Sequence, residues 1–170
     1  TGPSGTCAAR STFWVALRFF LVEGADFRTA EAIQNPLSAW IQKRRDDHVS
    51  GPSVALVDTV AALSVFRLQC PLSTALRVAY GGRYSTEALD TLRGLCDLIE
   101  WNDRSDDLED QTLLFRHPDI AREYLAEEGV RTEQQTVAVL QPAIEALVAS
   151  AGDRWLAETL SATVLQRGAK

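Results

Sequence analysis

Residues 53–68 read SVALVDTVAALSVFRL, lie between Pro52 and Pro71, and carry only two charges, Asp58 and Arg67. A helix over this stretch is apolar on nearly every face, so it needs protein on nearly every side. That predicts an all-α fold, a compact bundle of about seven to nine helices around a central apolar helix at about 53–69.

The neighbouring punctuation agrees. Pro36, Pro52, Pro71 and Pro118 are each placed to open a helix, because proline gives up little at a first helical position. Gly24, Gly81-Gly82, Gly129 and Gly152 are placed as stops. Ser11 is positioned to cap a helix over 12–23, and Asp26 a short one reaching about Gln34. The helix opened by Pro36 carries Leu37, Trp40 and Ile41 and ends in the polar run QKRRDDH.

Ser85 precedes Leu89, Leu92, Leu95, Cys96, Ile99 and Trp101, whose spacings of three and four predict one helix through all of them. A further helix is predicted near 108–116. Thr132 with Gln135 fits a capping box, and Pro142 predicts a kink or break in the helix that follows. Asp153 is placed to cap a last helix with Trp155, Leu156, Leu160, Val164 and Leu165. No sustained period-two alternation and no Asn-Gly or Asp-Gly turn is present, so no sheet is expected. No repeat of solenoid length is visible.

The 170 residues suit one domain, with 1–10 as a loose tail and 11–170 as a single helical unit. The chain begins Thr1-Gly2-Pro3-Ser4-Gly5 and lacks Met altogether, which reads as a segment of a longer protein. Net charge is −6, which opposes a broadly phosphate-binding surface. Cys7, Cys70 and Cys96 form an odd set with no CxxC spacing. Cys70 and Cys96 are expected to be buried thiols, and a reducing, intracellular compartment, cytoplasmic or nuclear, follows as the expectation. The apolar runs are too short or interrupted to span a bilayer.

Catalytic constellations are missing from the sequence. His48 and His117, the two histidines, stand beside charged residues or a helix start, and no GxSxG elbow accompanies them. His117, before Pro118, reads as a capping residue. Neither GxGxxG nor GxxxxGK[ST] is present, so no cofactor is expected. The acidic run at 102–110 (Asn102, Asp103, Ser105, Asp106, Asp107, Glu109, Asp110) fails the calcium-loop pattern, with Leu108 and Leu114 where glycine and glutamate are required. It reads as a solvated loop with Asp107 as a cap candidate, and no metal site is expected.

Three features bear on function. The stretch 13–22 is apolar on more than one face, which makes Trp14, Phe13, Leu17, Phe20 and Leu21 the expected partner-binding residues of a non-enzymatic interaction or assembly domain, joining a partner helix or a second copy. Lys43, Arg44 and Arg45 end an apolar-plus-basic helix, the alternative being nucleic-acid binding, disfavoured by net charge. Asp58 stands alone in the central helix, and a buried unpaired carboxylate would mark a ligand or catalytic pocket. The simpler reading sets Asp58 on a polar strip, paired with an arginine. The four tryptophans, Trp14, Trp40, Trp101 and Trp155, are read mostly as core.

Overall fold

The computed structural model describes residues 36–83, 85–102, 111–149 and 154–168. Seven helices and three short strands occur among them: α1 Pro36–His48, α2 Ser53–Val65, β1 Cys70–Pro71, α3 Leu72–Tyr80, α4 Thr86–Gly94, β2 Ile99–Asn102, β3 Thr112–Phe115, α5 Pro118–Glu127, α6 Glu133–Ala149 and α7 Arg154–Gly168. The fold is mostly helical, as the central stretch predicts.

The central helix is α2. Ten of its thirteen residues are buried, among them Leu56, Val57, Val60, Ala61, Ala62 and Leu63. It packs against α3, α4, α5, α6 and β3, and α1 lies across α4 and α5. Val and Thr weaken a helix in isolation, so α2 owes its stability to burial, at about 1.5–3 kcal/mol for each large apolar side chain removed from water. Its buried hydroxyls are satisfied in place: Thr59 donates to Ala55 O at 2.7 Å and Ser64 to Val60 O at 2.6 Å. The helix ends with Arg67 N–H on Ser64 O and Leu68 N–H on Leu63 O, and Arg67 takes the left-handed position at φ 60°.

Most of the punctuation is realised. Pro52 and Pro71 stand at the starts of α2 and α3, and Gly81, at φ 62°, closes α3 in the left-handed region. The Ser85 hydroxyl accepts from Glu87 N–H, and His117 Nδ1 accepts from Asp119 N–H, each at 3.2 Å. Thr132 Oγ1 accepts from Gln135 N–H at 3.1 Å while Gln135 Oε1 accepts from Thr132 N–H at 3.0 Å, a complete capping box.

Several expectations are corrected. The helix after Ser85 stops at Gly94, and Ile99 and Trp101 belong to β2. Gly94 is a weak helix former, and the His48 ring of α1 occupies the space a Cβ there would need. The expected helix near 108–116 contains β3, whose burial alternates, as Thr and Phe on a pleated surface prefer. Of the kink or break expected at Pro142, the break does not occur: one helix runs from Glu133 to Ala149. Cys96 is exposed and Trp155 is 63% exposed, whereas Cys70 and Trp40 are buried.

The sheet has the order β1–β3–β2, both pairs antiparallel. Ser64 joins it to the central helix: its hydroxyl accepts from Phe115 N–H at 2.9 Å.

Candidate functional site

A polar seam lies where α1, α2 and α5 meet. Tyr124 of α5 is fully buried, its ring tilted at 52° to that of Phe115 with centroids 5.5 Å apart. The Arg45 guanidinium of α1 sits 5.9 Å from the Tyr124 ring centre and forms an ion pair with Glu128. Cation and ring attract through the ring quadrupole, more strongly when water is excluded. Asp58 of α2 completes the seam. Burial pushes its carboxyl above the ordinary value of 3.8, opposed by the Tyr124 hydroxyl and the Arg45 charge. Burial, and next the Asp58 charge, push the Tyr124 phenol above its own ordinary range.

Asp58 Oδ1 and the Tyr124 hydroxyl are buried without closing a hydrogen bond of ordinary geometry. Asp58 therefore stands on a polar strip under the influence of an arginine, with one oxygen unsatisfied. Tyr124 and Glu128 were not legible from the sequence, because α5 and its C-cap bring Tyr124 to Asp58 and Glu128 to Arg45 from more than sixty residues away. The available signal was a Tyr within an amphipathic helix.

The basic end of α1 is tied down. Arg44 pairs with Asp97 at 2.6 Å and Arg45 with Glu128, so two of the three cations link α1 to other parts of the fold. Lys43 is exposed.

A second polar group joins three helices. Thr91 of α4 donates to Ser53 Oγ at 3.0 Å, and Ser53 and Tyr80 share a hydrogen bond of 2.6 Å. It holds the start of α2 to α3 and α4.

An open cleft of about 310 Å³ lies between the end of α4 and β2. Leu92, Ile99 and Leu113 form its floor, with Trp101, Cys96, Glu100, Arg93 and Arg116 around the rim. The Cys96 thiol donates to Asp97 Oδ1 at 3.2 Å, and this bond, with burial, raises its pKa. The thiolate needed for nucleophilic attack is thereby disfavoured. Trp101 Nε1 donates to Gln111 Oε1 at 3.1 Å, which fixes the indole at the cleft mouth.

At the far end of the molecule, α7 packs chiefly on α6, through a small cluster of Leu147 and Ala157. Val148 and Trp155 are exposed there, at 52% and 63%.

The expected partner residues Phe13, Trp14, Leu17, Phe20 and Leu21 lie outside the described residues, as do 103–110 of the acidic run. Among the described residues no three His, Cys, Asp or Glu side chains converge as a metal site would require, and no helix is long and apolar enough to cross a membrane. No known protein family, curated protein or solved structure matches this chain.

Proposed function

We propose that this chain is a non-catalytic interaction domain that docks a helix of a protein partner on its C-terminal helix. The observation behind the reading is Trp155, 63% exposed in the first turn of α7. Exposed tryptophan is uncommon, and tryptophan is the residue most enriched where binding energy concentrates. Trp155, Thr159, Ala162 and Gln166 are all exposed at helical spacing, so one stripe carries an aromatic anchor followed by Thr159 and Ala162, small enough to permit close approach. The sequence adds the apolar stretch 13–22 as a second candidate face.

The test is site-specific photo-crosslinking from position 155 in extract of the source cells, with sedimentation of the purified chain. A single discrete adduct, lost when Ala162→Arg blocks the stripe, supports the reading. An adduct with a second copy, matched by dimer in sedimentation, makes the partner this same chain. Absence of any adduct sensitive to Ala162→Arg overturns it.

A second reading, a ligand or catalytic pocket beside Asp58, is favoured by its buried Oδ1, which closes no hydrogen bond of ordinary geometry. Between pH 3.8 and the raised folded value, the folded chain keeps a proton that the unfolded chain has lost. Stability contributed by this group therefore falls as pH rises through that interval. Asp58→Asn should remove that slope, leaving a variant more stable than the parent at neutral pH and without that advantage below pH 3.8. Denaturant titrations across pH measure it. A variant less stable at neutral pH would make Asp58 a structural group and remove this reading.

A further inference from the structure

Arg116 N–H donates to Leu98 O at 2.9 Å. Antiparallel pairing alternates, so Glu100–Leu114 and Asn102–Thr112 are the other pairs of the β2–β3 ladder that exchange hydrogen bonds. The backbone groups of Ile99 and Trp101 consequently point away from β3. Ile99 N–H turns back to Leu95 O at 2.8 Å. The Ile99 carbonyl and both backbone groups of Trp101 find no partner among the described residues. An edge with such a row of open groups is a template for another strand. The cleft of about 310 Å³ lies directly along this edge.

We propose that the β2 edge receives an extended peptide segment, alternating apolar and basic residues, as a fourth strand of the sheet. In antiparallel addition, the incoming residue opposite Trp101 exchanges two hydrogen bonds with it, and the residue two positions on donates to the Ile99 carbonyl. Residues opposite one another share a face, so those two side chains fall on the side of Ile99 and Trp101, over the apolar floor of Leu92 and Leu113. The residue between them lies across from Glu100, which is exposed on the other face. A Lys or Arg there meets the Glu100 carboxylate directly across the added pair, while the cations of the cleft, Arg93 and Arg116, belong to α4 and to the position just after β3 and do not pair with that residue.

A second copy fits less well. Pairing Ile99 of one copy with Trp101 of the other sets the two Glu100 carboxylates against each other, which is repulsive. The edge is separate from the Trp155 stripe, and the two readings fail independently.

The probes are heptapeptides alternating Val with Lys, alternating Val with Glu, and the Val/Lys peptide N-methylated at every second backbone nitrogen. Binding to the whole chain is followed by amide chemical shifts and hydrogen exchange. The Val/Lys peptide should shift the Ile99–Asn102 amides and slow exchange at Trp101. N-methylation, which removes the added hydrogen bonds, should weaken binding about tenfold or more. Glu100→Lys should reverse the preference, toward Val/Glu.

Trp101→Pro removes only the outward N–H of the backbone and should abolish binding that Trp101→Val retains in part. If Trp101→Pro unfolds, the N-methylated peptide on the unaltered chain still decides. No shift at these amides with millimolar Val/Lys peptide overturns the proposal, as does binding insensitive to N-methylation. Concentration-dependent shifts of the same amides without peptide would make the occupant a second copy and also overturn it. Trp155→Ala should leave every one of these readouts unchanged.

Discussion

The two edges of the small sheet are built in opposite ways. On β1, Leu72 N–H donates to Gln111 O at 2.9 Å, so Cys70 pairs with Leu113 through hydrogen bonds and Pro71 faces outward. Pro71 has no N–H to offer, and its carbonyl accepts from the Cys70 thiol at 3.5 Å. Both residues are buried against α2 and α3. On β2 the outward residue is Trp101, with an N–H and a carbonyl to give, beside an exposed Glu100. One edge is closed by residue chemistry and by helices; the other is left able to pair. A protein that buries one edge this completely and leaves the other lined by a cleft separates scaffold from surface within a dozen ångströms of backbone width, on the order of three strands at their usual spacing.

Substitutions should expose that asymmetry. The largest effect is expected at Leu72, fully buried where β1 passes into α3: Leu72→Ala should cost about 2–5 kcal/mol in denaturant unfolding. Ser64→Ala comes next. It leaves the buried Phe115 N–H without its acceptor and should cost about 1–3 kcal/mol. Should it prove neutral, the sheet is not held to the central helix as described. At the open edge, Glu100→Lys should change stability by less than about 0.5 kcal/mol, as at an ordinary exposed position. The finest test needs no substitution. In hydrogen exchange, the Trp101 amide should exchange faster than those of Glu100 and Asn102 on either side, since only it points away from β3. Uniform protection along β2 would mean the edge is covered.

The site was legible in fragments. Asp58 stood out because it is the one acid in an apolar helix, and the structure sets it in a polar seam. Arg45 stood out as a cation at a helix end, but its role depends on Tyr124 and Glu128, which the sequence separates from it by about eighty residues. Ile99 and Trp101 were misread because four residues cannot carry a distinguishable period. Leu92, Leu95 and Ile99 satisfy a helical spacing across a helix, a turn and a strand alike. The helix closes at Leu95, whose N–H bonds to Thr91 O, and the His48 ring of α1 leaves room only for glycine at position 94.

By itself the sequence determined the central helix, the starts at Pro36, Pro52 and Pro118, and the caps at Ser85, His117 and Thr132. Those features act within a turn or two of chain, and an apolar run that long has to be enclosed wherever it sits. Only the tertiary structure decided that 99–102 and 112–115 would be strands, that Ser64 would anchor them, and that among the described residues no strand pairs with the outer side of β2. Short strands have almost no stability of their own, so their form is set by the partners that complete their hydrogen bonds.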